Sequence, residues 1–93
     1  MGNPFVRVSG GPVNFYGEYT MTNLYVPRVF GGDVNTLTLT NDSASDTAQV
    51  SFDGATLEAD IKAGESLTIN THSRTSVYLK GTAGGGKVRA WGW

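Results

Sequence analysis

A single small all-β domain, a β-sandwich or jelly-roll-like unit with an extended aromatic arm at its N-terminal end, is what three features of the chain predict. From Val34 onward apolar and polar residues alternate with a period of two, as half-buried strands require. Gly, Asn, Asp and Ser cluster between these segments at spacings of about eight to twelve residues, which implies roughly seven to nine strands. No helical periodicity competes with this pattern.

The elements follow in order. Residues 1–33 read as an arm with edge strands, and residues 34–93 as the sandwich core. The first part holds Phe5, Phe15, Tyr16, Tyr19, Tyr25 and Phe30, six of the ten aromatics, together with all three prolines. Val13, Phe15, Gly17 and Tyr19 alternate with Asn14, Tyr16 and Glu18, which fits one strand. Pro27 interrupts residues 24–30; it has no N–H for a ladder, so this piece is an edge strand or extended arm. Gly10-Gly11-Pro12 and Gly31-Gly32-Asp33 read as loops. Leu37 and Leu39 then oppose Thr36, Thr38 and Thr40, and residues 41–46 form a polar turn. Ala48, Val50 and Phe52 make the next inward set, closed by the turn dipeptide Asp53-Gly54. Leu57, Ala59 and Ile61 follow, Ala63-Gly64 turns the chain, and Leu67/Ile69, Val77/Leu79 and Val88/Ala90 complete the pattern. The sole low-complexity patch is Ala83-Gly84-Gly85-Gly86, and no internal repeat is visible.

Ninety-three residues bury about 60–65% of the unfolded surface, a thin margin for a lone domain. There is no cysteine to staple it, and one histidine leaves mainly carboxylates as metal ligands. Oligomerisation is the remaining common remedy. Seven basic and eight acidic residues, net charge −1, are scattered singly. This gives no basic footprint for nucleic acid and no polybasic membrane patch. Met1 to Phe5 lacks the charged and apolar regions of a secretory signal, and no stretch has the length of a membrane span, so synthesis in a cytosol is expected. Val6 stands where a myristoylation motif at Gly2 would want Ser or Thr. The sequon Asn41-Asp42-Ser43 has meaning only in a secreted chain.

Four constellations resemble chemistry. Residues 81–88 match the phosphate loop G-x-x-x-x-G-K but place Val88 where magnesium needs Ser or Thr, and strand-like alternation follows where a helix N-terminus is needed; a hairpin loop is the expectation. Glu58 and Asp60 share a strand face at roughly 7 Å, a separation that glycoside hydrolysis can use. A solvated face that discourages edge pairing is the expected reading of the pair, since catalytic carboxylates usually come from different elements of a cleft. His72 beside Ser73 suggests a base and nucleophile, yet adjacent residues in a Ser/Thr-rich connection diverge more often than they converge. Asn41, Asp42 and Asp46 form a crude calcium loop without the alternate-oxygen spacing or the distal Glu, and turn capping suffices for them. The expectation is no catalytic, cofactor or metal residue.

The end of the chain is more open. If Val88 and Ala90 face the core, Lys87, Arg89, Trp91 and Trp93 share the outer face, as at a protein interface or a sugar-stacking platform. A slip at Gly92 would instead put one Trp inside. The residues singled out for a partner interface are Phe5, Tyr16, Tyr19, Tyr25, Arg89, Trp91 and Trp93.

Leu37-Thr38-Leu39-Thr40-Asn41, Ala63-Gly64-Glu65-Ser66-Leu67-Thr68-Ile69, Ser76-Val77-Tyr78-Leu79-Lys80-Gly81-Thr82-Ala83 and Val88-Arg89-Ala90-Trp91 carry a resemblance. Over about sixty residues, from Asn35 to Trp93, the chain resembles small structural proteins of tailed bacteriophage virions, and also bacterial Ig-like sandwich modules. The resemblance implies a non-enzymatic capsid decoration or accessory protein, trimeric in many cases, located in the virion and bound to the major capsid protein or another virion protein. The alternative is a carbohydrate-binding or Ig-like adhesion module on a virion or cell surface.

Overall fold

The computed structural model describes residues 15–93. The expectations for Phe5, for Val13 and for the loop at residues 10–12 lie outside the described residues. None of the described residues is helical. Six strands form one antiparallel sheet: β1 (Phe15–Thr20), β2 (Val26–Asn41), β3 (Ala48–Ser51), β4 (Ala59–Ile61), β5 (Ser66–Gly81) and β6 (Lys87–Gly92), in the order β1-β6-β2-β5-β3-β4.

The two 16-residue strands explain how one sheet encloses a core. Residues 26–29 of β2 pair with residues 76–79 of β5, and β5 continues that layer into β3 and β4. Residues 36–40 of β2 pair with residues 66–70 of β5, and β2 continues this other layer into β6 and β1. Counting β2 and β5 twice, the six strands provide eight segments. Numbered in chain order, the layers read first-eighth-third-sixth and second-seventh-fourth-fifth, which is the arrangement of a jelly roll.

The crease between layers is made of extra residues. From Val29↔Ser76 to Val34↔Arg74 β2 advances five positions while β5 advances two; from there to Thr36↔Asn70 β5 advances four and β2 two. Such bulges bend a strand without ending it. Gly31 has φ 85°, and His72 and Ser73 sit at φ 53° and 62° in the left-handed region. Ser73 Oγ donates to Asn35 Oδ1 at 2.7 Å, and the buried Thr71 hydroxyl donates to the Val34 carbonyl, so both bulges are pinned across the crease. Gly31-Gly32-Asp33 and residues 70–76, read from composition as connections, therefore lie inside continuous strands.

Between the layers Met21, Phe30, Val34, Leu37, Leu39, Val50, Ile61, Val77, Leu79 and Val88 form one buried cluster. Alternation dictates membership: Leu37 and Leu39 are inward while Thr36, Thr38 and Thr40 are not. Val88 and Ala90 are inward, so the parity expected for the last strand holds up to Trp91. Leu57, expected inward with Ala59 and Ile61, is 47% exposed, because β4 begins only at Ala59. Pro27 lies in an edge segment, where its missing N–H is tolerated. β2 passes through residues 33 and 34 without a break.

A left-handed conformation costs a non-Gly residue about 1–2 kcal/mol, most for a β-branched one. His72→Val is expected to lower unfolding stability by about 1–2 kcal/mol, and His72→Gly to leave it unchanged or raise it by up to about 1 kcal/mol. Urea denaturation of the two variants checks the crease.

Candidate functional site

The outer face of the β1–β6 layer gathers three of the candidate residues, Tyr16, Arg89 and Trp91. Register sets Tyr16 opposite Trp91, Glu18 opposite Arg89 and Thr20 opposite Lys87. Arg89 forms a bidentate pair with Asp42, Nε to Oδ2 at 2.5 Å and Nη2 to Oδ1 at 3.0 Å. Its guanidinium lies 5.0 Å from the Trp91 ring centroid, and the Tyr16 ring meets Trp91 at 5.6 Å, tilted 54°. The Tyr16 hydroxyl donates to Glu18 Oε2 at 2.9 Å, and Lys87 Nζ to Thr20 Oγ1 at 2.8 Å. Desolvation, then Glu18, raises the Tyr16 phenol above its ordinary value, while the Asp42 hydrogen bond raises the Arg89 guanidinium further. A shallow groove of about 490 Å³ runs among Glu18, Thr20, Asp42, Lys87 and Arg89. Charges of both signs line it, already paired or hydrogen-bonded.

Tyr16 is 38% exposed, but Trp91 only 7%. Trp91 thus stands on the outer side of the layer by parity and is nevertheless buried. Trp93 is partly buried, with its backbone N–H on the Thr36 carbonyl and its own carbonyl accepting from Asn35 and Thr36. Tyr19 turns inward, half-buried beneath the Arg28 guanidinium at 4.9 Å; burial raises its phenol and Arg28 opposes that. Tyr25 immediately precedes β2, with Lys80 Nζ 4.6 Å from its ring centroid. Tyr16, Arg89 and Trp91 are therefore brought together, and Tyr19 and Tyr25 are not part of that group.

A second surface was not singled out from the sequence. Val29 is 68% exposed and shares the outer side of the β2–β5 layer with Pro27 and with Tyr78, the pairing partner of Pro27, while Leu24, 71% exposed, precedes β2. Its signal was the period of two around Pro27, which places Pro27 and Val29 opposite Arg28 and the buried Phe30.

Of the chemical lookalikes, the glycine-rich loop, Asp46 and Ser73 are bound into the framework. The phosphate-loop lookalike does converge its N–H groups on an anion, and that anion is the Asp46 carboxylate. Ala83 N–H donates to Oδ1 at 2.8 Å, Gly84 N–H to Oδ2 at 3.1 Å and Thr82 Oγ1 to Oδ1 at 2.7 Å. A Cβ at Gly81 would stand 2.2 Å from Asp46 Oδ2, which is why glycine opens the loop. The filled nest of amides leaves no seat for a phosphate, and β6 rather than a helix begins at Lys87. These bonds, the Ala83 amide foremost, hold the Asp46 carboxyl below its ordinary value near 3.8.

Asn41, Asp42 and Asp46 serve different partners, Asn41 Nδ2 donating to the carbonyls of Asp46 and Ile61 at 2.8 Å. Among the described residues no group of three or more His, Cys, Asp or Glu converges as metal ligands would. His72 and Ser73 diverge: the Ser73 hydroxyl bonds to Asn35 and not to the imidazole. Glu58 precedes β4 and Asp60 lies in it, at the end of the sheet order and paired with Gln49. Asp53, which carried no expectation beyond a turn, accepts from the Ala55 and Thr56 amides at 2.8 and 2.7 Å, and these bonds hold it well below the usual carboxylate range.

No protein-family model matches the chain, and no curated protein matches it.

Asp46 has a depressed folded-state pKa, so its stabilisation is complete above its unfolded value and is lost as pH falls through the folded one. Asp46→Asn is expected to lower the melting temperature at pH 7 and to flatten the loss of stability below about pH 4. Faster amide exchange at Ala83 and Gly84 should accompany it. Thermal melts from pH 7 to pH 2 check this.

Proposed function

We propose that this chain is a bacteriophage virion structural protein, a capsid decoration or other accessory piece that binds the major capsid protein or another virion surface. The observation that carries the reading is the outward-facing Pro27 and Val29 of β2, with Tyr78 paired opposite Pro27, on an outer face of the domain that follows the exposed Leu24. Exposed apolar residues gathered on one strand face mark sites of protein association. Ser73, Asp46 with its glycine-rich loop, and the Asp42–Arg89 pair are bound to framework partners, which favours surfaces as the working parts. Jelly rolls are frequent in viral shells, an argument from fold analogy alone. A lattice of many copies also multiplies modest contacts into firm attachment.

The alternative, a carbohydrate-binding or adhesion module, needs an open aromatic face. Trp91 at 7% exposure offers little of one, and Tyr16 is the more accessible ring of that pair. The virion reading is therefore the preferred one.

The test is co-sedimentation of the purified chain with empty shells assembled from the major capsid protein of the same genome. Saturable binding is expected, weakened about tenfold or more by the double substitution Leu24→Asp/Val29→Asp. Absence of binding to shells, with glycan-array binding that Tyr16→Ala abolishes, would overturn the reading.

A further inference from the structure

Among the described residues the two layers have four edges, and these are not alike. β1 carries Glu18 in its middle, and the Arg28 guanidinium already covers its Thr20 carbonyl at 2.9 Å. The first segment of β2 holds Pro27, and β4 is three residues long with Asp60 at its centre. Charge, proline and brevity are the usual guards against edge pairing. Residues 66–70 of β5, the remaining edge among the described residues, have none of them: the run Ser66-Leu67-Thr68-Ile69-Asn70 contains no charge, proline or glycine.

The direction of its backbone groups follows from its neighbours. Thr36 and Trp93 exchange N–H···O bonds at 3.0 Å, while Asn41 N–H donates to the Glu65 carbonyl at 2.9 Å. Along β2, then, residues 37, 39 and 41 turn their N–H groups to β5 and residues 36, 38 and 40 turn theirs to β6. Leu67 and Ile69, opposite Leu39 and Leu37, bond back to β2. Ser66, Thr68 and Asn70 direct N–H and C=O outward, and all three are exposed.

We infer that this edge pairs with the same edge of a second copy, antiparallel about a two-fold axis at Thr68. Ser66 then faces Asn70 of the second copy and Thr68 faces Thr68, so every outward N–H and C=O of these residues finds a partner. An isologous contact of this kind requires a self-complementary strand, and an uncharged one sets no like charges opposite each other. Leu67 and Ile69, half-buried against the core, come to lie against Ile69 and Leu67 of the second copy and extend the apolar layer across the junction. The hydroxyls of Thr38/Thr68 and Thr40/Ser66, each pair at 2.8 Å, hold the strand's outward side chains sideways, away from the approaching backbone. A contact of this length is smaller than a standard stable interface, so the dimer is weak, with a dissociation constant between about 10 µM and 1 mM. The inference does not rest on the virion reading, and it adds a two-fold contact to the trimers which the family resemblance implies.

Sedimentation equilibrium of the intact chain from about 10 µM to 1 mM tests it, with amide exchange measured at both ends of the range. The expected result is a mass rising toward that of a dimer, with exchange at Ser66, Thr68 and Asn70 slowed as it rises. Thr68→Lys, which sets like charges across the axis, should weaken association at least tenfold, while Gln49→Lys on the other layer leaves it unchanged. A chain that stays monomeric throughout, association indifferent to Thr68→Lys, or a dimer that leaves those amides unprotected would each overturn the inference. Shell binding is scored separately, so failure here and failure of the virion reading are distinguishable.

Discussion

The crease in β2 and β5 is the constraint on which the rest depends. Sixteen extended residues span roughly 50 Å, and the longest dimension of the domain is 34 Å. Both strands must turn, and a sheet that turns without breaking its ladder needs extra residues at the corner. Gly31 and the left-handed pair His72-Ser73 provide them. Two strands thereby serve two layers, each layer reaches four segments, and the apolar face of one half covers that of the other.

A domain this small, without disulfides, also depends on buried polar ties. Asn41 is fully buried at the end of β2, where its side chain donates to the carbonyls of Asp46 and Ile61 and accepts from the Ser43 amide. Its backbone N–H and C=O hold the turn at Gly64 and Glu65. Asp46 then binds the glycine-rich loop that leads into β6. These contacts join segments distant in sequence at one end of the sandwich, as a disulfide would in a secreted domain, and leaving any of these buried groups unpartnered would be costly.

Much of the fold was legible because alternation reports burial directly. Leu37/Leu39, Val77/Leu79 and Val88/Ala90 face inward as their period requires, and Pro27 lies on an edge as its missing N–H requires. Continuity across residues 31–33 and 71–73 was not legible, since Gly, Asp, His and Ser there read as loop by composition, and only the pairing partners on both sides show one strand. The Asp46 nest was hidden for another reason: the carboxylate and its amides are 37 and 38 positions apart, so local spacing contains no sign of them. The grouping of Tyr16 with Arg89 and Trp91 depends on β1 pairing with β6 across the length of the chain, and the burial of Trp91 on an outer face could not be deduced from parity. Leu24 and Val29, the most exposed apolar residues, were passed over because isolated aliphatics beside a proline resemble an ordinary edge. The functional reading rests on the surfaces that remain once the polar clusters are assigned to the framework.

The folding of one sheet onto itself is most directly tested by nuclear Overhauser contacts between the two halves. Phe15 in β1 and Phe30 in β2 have ring centroids 5.0 Å apart, and Arg28 lies over the Tyr19 ring, only because the layers face each other. The account predicts strong ring-proton cross-peaks for Phe15–Phe30 and side-chain cross-peaks for Tyr19–Arg28. Their absence, with the β2–β5 and β1–β6 ladders otherwise intact, would mean an open sheet and would contradict the account.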